Sequence, residues 1–215
     1  MSLRVIAIDG PAGAGKSTVA RLVASATGLP FLDTGAMYRC IALRALRDGV
    51  DPSDASKVED IAGRVSISVM DGVTLLDGED VSDAIRTPAV NEVVSVIATN
   101  SGVRAVLRDA QRRWAVRVGG GVVEGRDIGT VVFPDARLKV FLTASPEVRA
   151  RRRVAQSGGD IAETARSIAE RDRIDSTRLD SPLRPADGSH TVDSSDRDVD
   201  DVVSEIVALF DKEGR

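Results

Sequence analysis

Gly10, Gly15, Lys16 and Ser17 stand at the spacing of a phosphate-binding loop: a glycine, four residues, then Gly-Lys-Ser. An apolar run over residues 5–8 leads into Asp9, and an apolar periodic segment follows Ser17 at once. The motif therefore has the strand–loop–helix context on which its chemistry depends. Glycines let backbone N–H groups turn inward around phosphate oxygens, and the helix start adds a favourable field. The cradle comprises Gly10, Pro11, Ala12, Gly13, Ala14, Gly15, Lys16, Ser17 and Thr18. Lys16 is suited to the outer phosphates of a nucleotide, and the Ser17 hydroxyl to Mg2+. A purely structural glycine turn would not require Lys and Ser together at these positions. The motif implies a nucleotide but leaves open what happens to it.

Other residues suggest a second anion. Arg39, in the stretch 33–39, offers a planar fork that matches a phosphate, whereas Met37 and Tyr38 have packing explanations. Arg126 and Asp127 follow the apolar pair Val122-Val123. Strand ends and the loops after them line the ligand crevice of layered α/β folds, so Arg126 suits a phosphate and Asp127 an amine or a sugar hydroxyl. A turn held by an Arg126–Asp127 ion pair is the structural alternative. Arg149, Arg151, Arg152 and Arg153 wind around several helix faces. They form either a solvated basic surface or an arm that folds over polyphosphates. Arg178, beside a Ser- and Pro-rich break, suits a moving loop.

A phosphate cradle combined with separate arginines fits phosphoryl transfer between two bound anions. That chemistry needs positioning and charge stabilisation more than a covalent nucleophile, and a closing arm would exclude water. An acceptor that is already a phosphate needs no strong general base. His190 has no partner motif and is assigned to surface or packing, and Cys40 to a buried helix position.

The elements that must position these groups alternate. Residues 3–9 read as a buried strand and 16–27 as a helix stopped by Gly28. A short apolar passage at 29–32 precedes a helix over 36–46. Composition changes at 48–54, where an inserted segment starts. Within it, residues 58–62 are helical, 65–69 alternate as a strand, Asp71-Gly72 signals a hairpin turn, and 73–76 return. Helices are expected over 89–98 and 103–116. Gly119, Gly120 and Gly121 read as a break, 133–136 as a loop and 138–142 as a core strand. Ser145-Pro146 opens a further helix, broken at 157–160. Helical periodicity resumes over 161–172, a short strand is expected at 190–193, and an amphipathic helix runs from Val199 to Phe210. The alternation argues for α/β layers.

The 215 residues, 42% hydrophobic, suffice for one substantial core with room for a small insert. A net charge of -4 gives no case for a nucleic-acid partner. Lys16, Lys57, Lys139 and Lys212 are the only lysines, so nearly all other positive charge is Arg. One cysteine excludes an intrachain disulfide and offers no cysteine-rich metal site. No secretion signal or membrane-length run is read, so a soluble cytoplasmic protein is expected. No apolar stripe marks an interface, and a monomer is expected.

Taken together, the chain resembles the bacterial cytidylate kinases, of the nucleoside-monophosphate-kinase family. The resemblance spans nearly the whole chain: residues 8–17, 33–39, 78–82 with 85–87, 125–135, and 170–172 with Asp175, Arg178, Pro182 and Leu183. It implies a P-loop NTPase fold: a five-stranded parallel sheet flanked by helices, an acceptor-binding insert over about 51–95 and a short lid over about 149–170, in a single kinase domain spanning 1–215. It also implies ATP-dependent, reversible transfer to CMP or dCMP, giving CDP or dCDP, with Mg2+. By resemblance, Gly13, Gly15, Lys16 and Ser17 hold donor phosphates and Mg2+. Thr34, Tyr38 and Arg39 match the acceptor-side motif. Ser95, Arg104 and Asp127 recognise cytosine, Arg126 contacts the acceptor phosphate, and Asp175 meets the sugar hydroxyls. Arg171 and Arg178 join the acceptor pocket, and Arg149 and Arg153 match the lid.

Rival classes are a kinase for UMP or AMP, a small-metabolite kinase, and an ATP-regulated binding module without transfer. A GTPase is disfavoured because no Asn-Lys-x-Asp guanine motif is present, and a transport ATPase because no Leu-Ser-Gly-Gly-Gln signature is present.

Overall fold

The computed structural model describes residues 3–70 and 72–213. The chain divides into two compact units. One combines residues 1–31 with 115–215, and the other spans Leu32–Trp114.

The first unit is built on a five-stranded parallel sheet flanked by helices. Strand β1 (Arg4–Asp9) leads through the glycine loop into α1 (Lys16–Thr27), and β2 (Phe31–Asp33) follows. The later strands are β6 (Gly120–Gly125), β7 (Leu138–Thr143) and β8 (His190–Asp193), and the sheet order is β2-β6-β1-β7-β8. Strand β1 is central, paired in parallel with β6 (Ile8 opposite Glu124, Asp9 opposite Gly125) and with β7 (Ile8 opposite Val140). Its burial on both faces explains the unbroken apolar run that precedes Asp9. Helices α6 (Pro146–Ser157), α7 (Ile161–Thr177) and α8 (Val199–Lys212) complete this unit. Its core joins Ile6 and Ile8 to Val19 and Val23 of α1, Val122, Val140, Leu142, and Ile206 and Phe210 of α8.

Local chemistry sets the helix ends. Gly28 ends α1 in the left-handed region, with its N–H donating to the Ala24 carbonyl. Ser145 caps α6 by accepting from Val148 N–H, with Pro146 at the first helical position, and Asp160 caps α7 through Glu163 N–H.

The second unit contains α2 (Thr34–Arg47), α3 (Ala55–Arg64), a small antiparallel sheet of β3 (Ile67–Met70), β4 (Val73–Leu76) and β5 (Glu79–Asp80), a 3-10 turn at Ala84–Arg86, α4 (Pro88–Ile97) and most of α5 (Ser101–Val118). Asp33 caps α2 by accepting from Ala36 N–H, and Asp54 caps α3 through Lys57 N–H. Helix α2 packs against α3 and α4. The small sheet lies within the 51–95 segment. Of the expected Asp71-Gly72 turn, Asp71 lies outside the described residues.

The structure corrects the sequence reading in several places. Gly120 and Gly121 begin β6 rather than breaking the chain. A Cβ at Gly120 would lie 2.5 Å from the Arg4 carbonyl oxygen, so close packing against β1 requires glycine there. The polar stretch after Leu76 hides β5, and a π-helical turn covers Ile128–Val132. Helix α7 continues past Asp172 to Thr177, which brings Asp175 onto the helix. Among the described residues, no helix is long and apolar enough to cross a membrane.

Candidate active site

In the first unit the site begins where β1 ends. Gly10 takes φ 154°, and a Cβ there would lie 2.0 Å from the Leu142 carbonyl oxygen. Gly13 takes φ 78°, and its added Cβ would lie 3.1 Å from Cβ of Arg149. Only glycine permits these turns and approaches without strain. Pro11, Ala12 and Ala14 are buried, Gly13, Gly15 and Ser17 half-buried, and Thr18 exposed. Lys16, at the start of α1, is buried and donates from Nζ to the Pro11 carbonyl at 2.8 Å. Burial pushes its pKa down to about 7. The cationic Arg126 and Arg171 add to the fall, while Glu124 and Asp9 oppose it.

Asp9 closes the strand end. Its Oδ1 and Oδ2 accept from Ile128 N–H at 2.8 Å and Gly129 N–H at 2.7 Å. Burial nevertheless raises its pKa to about 6, against the pull of those two hydrogen bonds. The π turn that follows β6 is thus tied to the base of the loop.

A second cluster lies at the end of β6 and on α7. Arg126 Nε donates to Asp175 Oδ2 at 2.9 Å. Arg178 Nη1 lies 3.6 Å from Asp175 Oδ1, and its Nε donates to the Asp175 carbonyl at 3.3 Å. Asp175 is buried. Burial opposes its ionisation, but Arg126, Arg178 and Arg171 together hold its pKa below the usual carboxylate range. Arg126 and Arg171 also act on Lys16, so the loop lysine and these arginines share one electrostatic field. Asp127 and Glu124 are buried alongside, and Arg171 is half-buried.

One structural alternative and one expectation change here. The Arg126 side chain pairs with Asp175, 49 positions away, instead of the adjacent Asp127. Arg178 is buried at the end of α7 and tied to Asp175, not carried on a moving loop, because an ionised carboxylate one helical turn away fixes it.

The α6 arginines also separate by position. Arg149 is buried; it donates from Nη1 to the Ala12 carbonyl at 3.0 Å and from Nε to the Ala144 carbonyl at 3.1 Å, and it pairs with Asp172. Arg152 reaches Ser194 Oγ at 2.9 Å, and Ser194 Oγ in turn donates to the Ala14 carbonyl at 3.3 Å. Arg153 is half-buried and Arg151 exposed. The run is therefore not one solvated face, because successive helix positions are rotated by roughly 100° and only Arg151 of the four is exposed. Asp172 and Ser194 were missed as contacts of the loop, and Arg152 was named only as one of the arginine run. Only Asp172 had a signal, in the Glu170-Arg171-Asp172 motif.

The second unit holds a separate group. Tyr38 and Arg39 lie on α2, and Thr34 is buried at its start. Arg39 Nη1 donates to Asn91 Oδ1 and to the Ile85 carbonyl, the latter at 3.2 Å. Arg104 on α5 is buried, donates to the Ala98 carbonyl at 3.2 Å, and stacks over the Tyr38 ring with 5.7 Å to the centroid. Ser95 is half-buried on α4. Cys40 is fully buried, and burial, with Asp33 and Asp77, pushes its thiol up to about 12, which leaves it inert as a nucleophile. His190 is exposed at the start of β8.

Mg2+ fits the loop. Among the described residues, no group of three or more His, Cys, Asp or Glu could hold a metal. A Ser hydroxyl at the second position of α1, directly after a glycine loop of the phosphate-binding spacing, suits a cation held chiefly by phosphate oxygens.

A parallel sheet whose central strand ends in this glycine loop, with a buried lysine opening the next helix, defines a phosphate-loop kinase. The fold is similar to that of a gluconokinase from Sinorhizobium meliloti (TM-score 0.52, 17% identity, 97% of this chain and 91% of that one). It is also similar to that of a shikimate kinase from Acinetobacter baumannii (TM-score 0.50, 16% identity, 98% and 94%). The cytidylate kinase family model matches residues 6–212. The cytidylate kinase of Pelotomaculum thermopropionicum is 50% identical over 214 residues, covering 94% of each chain. The chain belongs to the cytidylate kinase family.

Proposed function

We propose that the protein transfers the γ-phosphoryl group of ATP reversibly to CMP or dCMP, giving ADP and CDP or dCDP. The observation that carries this reading is the buried Lys16 of the phosphate loop within the field of Arg126 and Arg171, with Arg126 clamped by Asp175. One chain thus supplies cations for a donor phosphate and for an acceptor phosphate, in a family named for CMP.

The residue roles proposed here are those the family resemblance implies, and chemistry supports several of them. Backbone N–H groups of Gly13, Gly15, Lys16 and Ser17 hold the donor phosphates, within the loop shaped by Gly10, Pro11, Ala12, Ala14 and Thr18. Ser17 would hold Mg2+, which supplies neutralisation of the charge on the transferring phosphates. Lys16 sits near neutrality without phosphate; the negative charge of a triphosphate favours its protonated form and places an ammonium where transfer builds charge. Arg126 and Arg178 take the acceptor phosphate, with Arg171 beside them. Asp175 keeps lone pairs beyond its arginine contacts, and these accept from sugar hydroxyls. Ser95, Arg104 and Asp127 recognise cytosine, and Thr34, Tyr38 and Arg39 complete acceptor recognition. Arg149 and Arg153 belong to the lid, which excludes water. The attacking oxygen is already anionic, so no general base is assigned. A cytoplasmic monomer is the accompanying proposal, and sedimentation of the purified chain tests its oligomeric part.

Purified protein is incubated with ATP and Mg2+ and each nucleoside monophosphate in turn, and the diphosphates are resolved. CDP and dCDP are the expected products. Strong product from UMP or AMP with none from CMP would favour the rival acceptors, and ATP binding without any acceptor-dependent ADP would favour a binding module.

A further inference from the structure

The Ala12 peptide of the phosphate loop is held on both sides by one ion pair. Its N–H donates to Asp172 Oδ1 at 3.1 Å, and its carbonyl accepts from Arg149 Nη1 at 3.0 Å. Arg149 and Asp172 are themselves paired. The first turns of α6 press on the same loop, since a Cβ at Gly13 would meet Arg149 Cβ and the Arg149 carbonyl oxygen, each at 3.1 Å. The anchor carboxylate comes from α7, three positions before Asp175. Residues three apart on a helix share a face. One turn of α7 therefore carries both the carboxylate that fixes the donor loop and the carboxylate that clamps Arg126 and Arg178.

We infer that Asp172 is a positioning residue that couples the donor loop to the Asp175–Arg126–Arg178 cluster through this turn of α7. The inference rests on the reading of those groups as donor and acceptor phosphate sites. Phosphates in the loop fix Ala12; a fixed Ala12 fixes Asp172 and Arg149, and with them the turn that presents Asp175. The acceptor then meets a cluster whose ordering cost has already been met, which is positive coupling. Linkage requires the acceptor to tighten donor binding by the same factor.

The experiment is calorimetric titration of the full chain with CMP, in the presence and absence of a non-hydrolysable ATP analogue with Mg2+. In the unsubstituted protein the analogue should tighten CMP by about fivefold or more, a typical size for site-to-site coupling. Asp172→Asn retains an acceptor for Ala12 N–H but loses the charge that holds Arg149. It should reduce the ratio to less than about twofold, with CMP affinity in the absence of analogue altered by less than about twofold. Asp172→Glu, which keeps the charge, should restore much of the ratio and guards against a variant that merely misfolds. An unchanged ratio in Asp172→Asn, or an equal loss of CMP affinity with and without analogue, overturns the coupling role. If CDP forms while the unsubstituted protein shows no coupling, this inference fails and the kinase reading stands. If CMP neither binds nor reacts, the kinase reading fails as well.

Discussion

Asp175 and Arg126 are 49 positions apart in the chain and joined by a 2.9 Å hydrogen bond in the fold. Asp175 also draws in Arg178, so one buried carboxylate keeps two arginines from repelling each other. Removing one partner of a buried ion pair leaves the other charge uncompensated and typically costs about 3–5 kcal/mol. Asp175→Asn should lower stability by about 3 kcal/mol at pH 7, measured by urea denaturation. The sign of the pH dependence follows from the lowered pKa: the contribution of Asp175 is complete above its unfolded value of 3.8 and is lost as pH falls through the lower folded value. The stability gap between the two proteins should hold from neutrality down to about pH 3.8 and close as pH falls further. A gap that persists undiminished in stronger acid would contradict the clamp.

Lys16 carries a second pH signature. Its folded pKa of about 7 lies below the ordinary 10.5. Its burial penalty on folding is therefore complete below pH 7 and disappears as pH rises through 10.5. At pH 8 the unliganded lysine is mostly neutral, and a bound triphosphate should recharge it. Binding of ATP with Mg2+ at pH 8 should take up as much as about 0.9 proton per site, read from calorimetry in buffers of different ionisation enthalpy. Lys16→Met should abolish the uptake.

Gly10 tests the loop itself. The Cβ of Gly10→Ala would lie 2.0 Å from a backbone oxygen of β7, which leaves no flexible group to yield. A stability loss of about 2 kcal/mol or more is expected, with loss of ATP binding in the folded fraction. Unchanged thermal unfolding would contradict the close approach of the two strand ends.

Arg39 is held by Asn91 and the Ile85 carbonyl. Asn91→Ala should raise the KM for CMP by roughly 10-fold, the loss of one charge-assisted hydrogen bond, and leave the KM for ATP nearly unchanged. Equal effects on both would assign Asn91 to the packing of α4 instead.

Much of this was legible in the sequence. The strand into Asp9, the glycine loop, the stop at Gly28 and the start at Ser145-Pro146 each follow from local periodicity or capping, which act over a few residues. The resemblance added the expected roles of Asp175, Arg171 and Arg178. What remained hidden depends on tertiary approach. Gly120 and Gly121 look like a break because their role is to let β6 meet β1 closely, which no side chain advertises. Ala12 and Asp172 are 160 positions apart, and nothing near either residue announces the other. Asn91 shares α4 with two other polar residues, Glu92 and Ser95, and only packing against α2 makes it the partner of Arg39. Buried Arg178 was misread for the same reason, since a Pro-rich neighbourhood suggests mobility while the fixing carboxylate lies on the preceding helical turn.

Asp127, buried just beyond β6, is the residue we propose to read the base. Asp127→Ala should raise the CMP requirement selectively, by roughly 10- to 100-fold, since a buried acceptor lost from a recognition site costs about 1–3 kcal/mol. A comparable loss with every acceptor tested would assign it a general structural role.

The most direct measurement follows a radiolabel from the γ-phosphate of ATP in the presence of CMP and Mg2+. Two anion sites built for transfer should deliver the label to the β-phosphate of CDP at a rate that depends on CMP, with little released as inorganic phosphate. Label that appears only as inorganic phosphate, or that passes to UMP or AMP but not to CMP when each is offered in turn, would contradict a cytidylate kinase.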